Sequence, residues 1–355
     1  MLEAPVLVVG GGPAGLAVAA CLRQSSVDFV MVDRDGTVGG AYRTMYPETE
    51  LLSPAKYTVL PGMDVGAEGK YISASQYFEY LHRFSTSHDL NPIRATVDAI
   101  TPVPQGLDVQ FRGVRQVVRY KVVVLATGIF DHPVVPDVPG LEVGSHCPRV
   151  IHSRDWQGPE SYEGRRILVI GAGMSGVEIA EQCAQAGLQV LISSRGRIRL
   201  WRRRVLGIDV HHFVHLISHR LPRWFAGSYC RKLPPLGAFD RGFRAGLGTG
   251  MIQRPGAVVK FQGDRVEFVD GTIETVDVVV LATGYRWAPA CLPVEAETGN
   301  TGHPLADNGR VRGVPGLYVI GAPCGRILPS EFLRGVALDA PVIAREIASV
   351  IGRTA

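Results

Sequence analysis

Closely spaced cysteine pairs, a membrane-length apolar run and a strong net charge are all missing from this 355-residue chain, and each absence removes a class of function. The six cysteines (Cys21, Cys147, Cys183, Cys230, Cys291 and Cys324) include no CxxC or CxxxxC pair and no Cys/His zinc spacing. That excludes a vicinal dithiol motif and argues against a zinc ribbon, so no metal site is expected. No apolar run approaches the roughly 18 residues a membrane span needs. The N-terminal stretch lacks the basic start, apolar middle and small-residue cleavage site of a secretory signal, so the expected address is cytoplasmic. The net charge of +4 says nothing about placement, and no nucleic-acid partner is expected from it.

What is present is a globular composition, with 46% apolar residues punctuated by 42 glycines and 24 prolines. The length calls for two domains, or one domain with a large insertion. Pro5 to Gly15 reads PVLVVGGGPAG, a buried strand running into a glycine turn and then a helix-like segment. In such a turn Gly10 permits the tight bend, Gly12 lets backbone approach a pyrophosphate, and Gly15 lets the helix pack on the strand. Free amides at the helix start face the phosphates. Eighteen residues after Gly15, at the end of the next apolar run, Asp33 can accept hydrogen bonds from a ribose diol.

The same grammar recurs at Arg166 to Gly176, RILVIGAGMSG, with Gly171, Gly173 and Gly176 in the corresponding places. No acid follows its second strand. Ser193, Ser194 and Arg195 stand there instead, which suits a 2′-phosphate and favours NADPH over NADH. Two cradles imply two dinucleotides, a hydride donor beside a tightly held redox carrier, and the expected carrier is FAD.

With these cradles the chain resembles the two-dinucleotide-binding-domain flavoproteins, and more specifically the class B flavin-dependent monooxygenases. Val38 to Arg43 is similar to that family's GGxW segment, with Tyr42 at the aromatic position. Leu52-Ser53-Pro54 resembles the segment that brings substrate-side residues to the ring. Two ATG elements, Ala126-Thr127-Gly128 and Ala282-Thr283-Gly284, match those closing the two nucleotide stretches. Gly316 to Ala322 and Ser330 to Ala340 resemble the returning strand and the helix whose N-terminus faces the flavin pyrimidine. Between the cradles, HCPRVIHSRDW keeps His152 and Trp156 of the family's FxGxxxHxxxW motif but places His146 and Pro148 at its Phe and Gly positions.

The resemblance implies an α/β fold of two Rossmann-like, three-layer domains, with an NADPH domain inserted in a discontinuous FAD domain. The expected division is 1–158 and 286–355 for FAD and 159–285 for NADPH, with a basic helical insertion near 196–248. It implies FAD contacts at Gly10, Gly12, Pro13, Ala14, Gly15, Asp33, Arg34, Gly40, Ala41, Tyr42, Val97, Ala126, Thr127, Gly128, Gly321 and Phe332. It implies NADP contacts at Gly171, Gly173, Met174, Ser175, Gly176, Ser193, Ser194, Arg195, Ala282, Thr283 and Gly284. The implied activity is an NADPH-consuming, FAD-dependent monooxygenation of a small molecule at nitrogen, sulfur or a carbonyl carbon, using O2 through a flavin C4a-(hydro)peroxide. Leu52 and Ser53 are the substrate-side candidates. Two other readings stay open: an NAD(P)H:acceptor reductase of the ferredoxin or quinone type, and a flavin-holding scaffold or redox-sensing partner protein.

Charge is unevenly placed. Arg195 to Arg244 carries 12 Lys/Arg against Asp209 and Asp240, so this stretch is +10 and the rest of the chain −6. Within it Leu206, Val210, Phe213, Val214, Ile217, Leu221 and Trp224 recur at helical spacing, interrupted near Pro222. The stripe is expected to pack as a lid over the substrate side. A membrane-surface helix flanked by Trp201, Trp224 and Phe225, or a contact through 196–244 with an acidic partner or carboxylated substrate, remain the alternatives.

Overall fold

The structure is a computed structural model that describes residues 2–66, 71–144, 147–218, 230–232, 237–287 and 289–352. Two sheets, the first mostly and the second wholly parallel, form its centre. The first has the strand order Ala306–Asp307, Arg310–Val311, Leu317–Val319, Val122–Leu125, Val6–Val9, Phe29–Asp33 and Ile93–Arg94, the last five being parallel. The second runs Ile252–Gly256, Val190–Ser193, Ile167–Ile170, Val278–Leu281 and Arg149–His152, parallel throughout. Strands of the first sheet come from both ends of the chain, and those of the second from its middle.

The central strands are uninterrupted VLVV, VVVL and ILVI runs because both of their faces are covered. Val6 and Val8 point into a core with helices Pro13–Gln24, Ala74–Ser87 and Leu333–Gly352. Leu7 and Val9 point the other way, against the antiparallel sheet Val97–Val103, Gly106–Phe111 and Val118–Tyr120. The second sheet repeats the plan: Ile167 and Val169 pack on helix Met174–Gln185, while Leu168 and Ile170 pack on Val258–Gln262 and Arg265–Phe268. Each unit is therefore three-layered, as expected. Burying each such Val, Leu or Ile side chain stabilises by about 1.5–3 kcal/mol.

Three features depart from the sequence reading. First, Cys230 and Cys324, 94 residues apart, form a disulfide with Cα atoms 5.7 Å apart. Local spacing cannot reveal a pair made by tertiary folding. Second, the apolar stripe does not face inward. On helix Val210–Ser218, Phe213 and Val214 are exposed, and Leu206 is 97% exposed at the tip of the hairpin Arg204–Val205/Ile208–Asp209. The inward face is made by histidines: His211 is buried beside Phe239, and His212 and His215 lie against Tyr57. His212 and His211 find the hydroxyls of Tyr57 and Tyr71 across the interface, and His211 also bonds Asp209 beside it, which a valine or phenylalanine there could not satisfy. Third, strand Arg149–His152, within the stretch expected to belong to the first unit, is an edge strand of the second sheet. His146, Leu221, Pro222, Trp224 and Phe225 lie outside the described residues. Among the described residues no helix is long and apolar enough to cross a membrane.

Candidate active site: two cradles and the cleft between them

In the first cradle the glycines divide into two kinds. A Cβ on Gly10 would stand 2.4 Å from the Ala126 carbonyl oxygen, and one on Gly15 would stand 1.9 Å from that of Gly10. Protein atoms thus forbid a side chain at both. Gly12 is different: its φ of −80° suits any residue, and an added Cβ would come no closer to the protein than 3.8 Å. Nothing in the fold requires glycine here, and the bare backbone leaves room for a group to lie on it, as a pyrophosphate would. Asp33 closes the turn by accepting from the amides of Gly11 at 2.8 Å and Asp35 at 2.9 Å.

Around this cradle the expected residues converge. The Gly39 amide donates to the Gly11 carbonyl, and Gly40, at φ +54°, lies against Gly12. Pro13 opens the helix, and Ala14 touches Gly321 on the returning strand's loop. Ala41 and Tyr42 form a short 3-10 turn, with the Tyr42 ring edge-on to Tyr77 at 4.8 Å. Burial pushes the Tyr42 hydroxyl pKa up. The Thr127 hydroxyl is buried without a protein partner, beside Gly128 at φ +69°. Arg34 pairs with Asp131 at 2.8 Å, Val97 lies in the antiparallel sheet's core, and Phe332 sits under the Arg334 guanidinium.

The second cradle has the same division. A Cβ on Gly171 would meet the Ala282 carbonyl oxygen at 2.2 Å, and one on Gly176 that of Gly171 at 2.0 Å, whereas one on Gly173 meets nothing within 4 Å. Met174 and Ser175 begin the helix behind it. At the ribose end the structure corrects the serine assignment. Ser193 is buried, and its hydroxyl accepts from the Val258 amide at 3.0 Å, because strand alternation turns it into the sheet. Ser194 is half-buried and Arg195 exposed, and a cation that the sequence reading missed joins them. Arg254, on the neighbouring parallel strand, approaches the Ser194 hydroxyl at 3.2 Å and donates to the Gly196 carbonyl at 2.5 Å.

The two ATG loops are stitched together. The Val134 amide donates to Gly284, the Arg286 amide to His132, and the Thr283 hydroxyl to Val134. His152 packs edge-on to Tyr285 at 4.9 Å; burial lowers its pKa, and the adjacent Gly284 backbone opposes that. Trp156 stacks on Tyr162 at 4.8 Å and donates to Gln182 on the second cradle's helix at 2.8 Å. Trp156 is therefore packed in the core of the second sheet, and His152 against the second ATG loop.

In front of the second cradle, Leu52 lines a small cavity with Glu50, Met174, Glu178, Arg203, Phe239 and Arg241; Ser53 is not among its lining residues. Arg241 pairs with Glu50 at 3.1 Å, Glu178 at 2.8 Å and Glu181 at 3.6 Å, and Arg203 pairs with Glu50 at 2.8 Å. Burial raises the carboxyl pKa values of Glu178 and Glu181, and Arg241 opposes it. This network joins the 50s loop, the cradle helix and the basic insertion, an association that no sequence motif announces. A wider cleft of about 850 Å³ lies alongside, lined among others by Lys56, Leu60, Met63, Arg204, Ile208 and His212. At the helix facing the first cradle, burial lifts Glu331 to about 7 while Arg334 opposes it.

The family described as "Pyridine nucleotide-disulphide oxidoreductase" matches residues 7–207. The chain is 28% identical over 389 residues to a protein named as a probable indole-3-pyruvate monooxygenase, YUCCA8 of Arabidopsis thaliana, covering 97% of this chain and 88% of the relative. Among solved structures it resembles a flavin-containing monooxygenase from Stenotrophomonas maltophilia at a TM-score of 0.79 and 22% identity, covering 99% and 100% of the two chains. OTEMO in complex with FAD and NADP superposes at 0.72 and 14% identity, covering 99% of this chain and 86% of that one. At these identities the structural likenesses establish the fold.

Proposed function

Since the chain belongs to the pyridine nucleotide-disulphide oxidoreductase family, we propose that it is an FAD-dependent, NADPH-consuming monooxygenase of the class B kind, oxygenating a small molecule with O2. One observation carries the reading. Both cradles keep an open middle glycine between two jammed ones, on a chain whose match to a relative named as a monooxygenase spans 97% of its length. We take residues 1–158 and 286–355 as the FAD-binding unit, with strand Arg149–His152 lent to the second sheet, and 159–285 as the NADPH unit.

When bound, FAD supplies hydride acceptance and oxygen activation, and NADPH the hydride. The chain's own residues bind, orient and exclude water. The Gly10–Gly15 turn and its helix amides hold one pyrophosphate, Asp33 fixes the turn, and the unpartnered Thr127 hydroxyl has hydrogen-bonding capacity for the same ligand. The Gly171–Gly176 turn holds the other, with Ser194, Arg195 and Arg254 around the 2′-phosphate. Leu52 and the Glu50–Arg241–Glu178 network form the wall between cradle and cleft, and the insertion covers that cleft from outside. The test is stoichiometric: NADPH oxidation in air should consume oxygen one for one, and the share released as hydrogen peroxide should fall when a substrate is present. Turnover that persists without oxygen, given a quinone or ferredoxin acceptor, would sink the oxygenase reading in favour of the reductase.

The insertion is also the surface we assign to partner contact. Trp201, Leu206, Phe213 and Leu216 are exposed among exposed Arg199, Arg202 and Arg204, a combination that suits an anionic membrane surface. Pelleting with phosphatidylglycerol vesicles but not with phosphatidylcholine vesicles is the expected result. An unchanged soluble fraction with both rejects the assignment.

A further inference from the structure

Three of the four free thiols are unsuited to redox chemistry. Burial pushes Cys21 and Cys291 up to about 11 and Cys183 up to about 12, which leaves almost no thiolate. Cys230 and Cys324 are in a different situation. Cys230 belongs to the basic insertion, and Cys324 to the loop that follows the returning strand, three residues past the Gly321 that touches Ala14 at the first cradle. Their disulfide therefore ties residues 230–232 of the insertion to the loop beside the flavin-side cradle.

Both ends are held by contacts that do not involve sulfur. The buried His303 lies 2.8 Å from the Cys230 carbonyl through Nε2 and 2.8 Å from the Thr301 hydroxyl through Nδ1. A neutral imidazole satisfies both, with Nε2–H donating and Nδ1 accepting. Gly299 must be glycine because an added Cβ would stand 2.1 Å from that ring. The Asn300 amide donates to the Arg231 carbonyl, and the Gly309 amide to the Gly325 carbonyl. Once the bond is opened, these contacts keep the two sulfurs near each other, so closure needs little search.

We infer that Cys230 and Cys324 form a reversible thiol–disulfide site, closed by hydrogen peroxide and reopened by a dithiol reductant, whose closure restrains residues 230–232 of the insertion against the 299–303 loop. In closure one thiolate attacks the peroxide O–O bond, giving a sulfenic acid and hydroxide. The second thiol then displaces the sulfenic oxygen as water, so that two thiols and one H2O2 give one disulfide and two H2O. Peroxide is what an oxygen-activating flavoprotein releases when turnover is uncoupled, and this supply rests on the function proposed above.

The test starts from reduced, desalted, FAD-loaded full-length protein titrated with hydrogen peroxide and mapped under non-reducing conditions. The expected product is a peptide linked through Cys230 and Cys324, formed equally well in Cys147→Ser and absent from Cys230→Ser and Cys324→Ser. Thiols that stay reduced, or crosslinks that run through Cys147, overturn the site. Hydrogen exchange at the Asn300 amide should rise by about tenfold on reduction as local opening becomes easier. Equal exchange in both states overturns the restraint. Aerobic NADPH turnover without substrate should also form the link, and catalase should suppress it. A link that forms with added peroxide but not under turnover keeps the site and removes uncoupled turnover as its source, while the oxygen stoichiometry above decides the oxygenase reading separately.

Discussion

The two cradles share a backbone and differ at the ribose end. In each, the first glycine presses on the alanine carbonyl of its ATG strand and the third presses on the first, while the middle one is open. The register is equivalent as well, with Val6 opposite Val122 and Ile167 opposite Val278. After the second strand they part. The first cradle spends its carboxylate, Asp33, on two backbone amides. The second has no acid there and gathers Ser194, Arg195 and Arg254. The comparison teaches that jammed glycines serve the fold, and the function proposed above assigns the open ones to the ligand.

The largest effect expected from breaking this comparison is at the jammed positions. Gly15→Ala or Gly176→Ala drives a Cβ to within 2.0 Å of a carbonyl oxygen and should cost roughly 4 kcal/mol or more, read as loss of soluble folded protein or a steep fall in Tm. Near-normal Tm values would refute the steric account. Next come the open positions. Gly12→Ala and Gly173→Ala should leave Tm within about 1 °C of the parent apoprotein, because neither φ nor neighbours object, yet each should weaken its own dinucleotide by about tenfold or more. FAD retention on gel filtration reads the first, and NADPH KM the second. Exchange of the two phenotypes would mean the cradles are wrongly assigned.

A smaller effect sharpens the ribose end. Arg254→Met should raise KM for NADPH by about tenfold, the size of one charge-assisted contact, and leave KM for NADH unchanged. Equal losses with both nucleotides would reduce Arg254 to a residue that positions the 194–196 turn. The smallest expected effect is at Glu331, whose carboxyl is lifted by burial to about 7 from 4.5. The folded state then holds this proton more tightly than the unfolded chain, so the stability it contributes is full below the unfolded value and is lost as pH rises through about 7. Glu331→Gln should remove that loss, so that Tm falls by about 2–4 °C less than in the parent between acidic and mildly alkaline pH. Parallel curves would show that the carboxyl is not so perturbed.

Much of this was legible in advance because it is local. A strand, a glycine turn and a helix start lie within about 20 consecutive residues, and their spacing follows from backbone sterics alone. The ATG strands were readable as buried runs for the same reason. What escaped was assembled from distant segments. Ser193 looked equivalent to Ser194 until the strand's alternation turned it inward. Arg254 reached Ser194 from another strand, and the Glu50, Glu178, Arg203 and Arg241 network drew on three separate parts of the chain. The stripe of the insertion misled because periodicity identifies a helix face but not the direction it points. Here histidines with partners across the interface took the inward side, and Phe213 and Val214 were left outside.

By itself the sequence determined the two cradles, their strands and the absence of an acid after the second, since each is a matter of neighbouring residues and backbone geometry. Only the tertiary structure decided which glycines were free for a ligand, which side chains gathered at the ribose end and in the cleft wall, and that Cys230 would meet Cys324 across 94 residues. Those outcomes depend on which surfaces the packed sheets bring within a few ångströms, and sequence spacing carries no record of that distance.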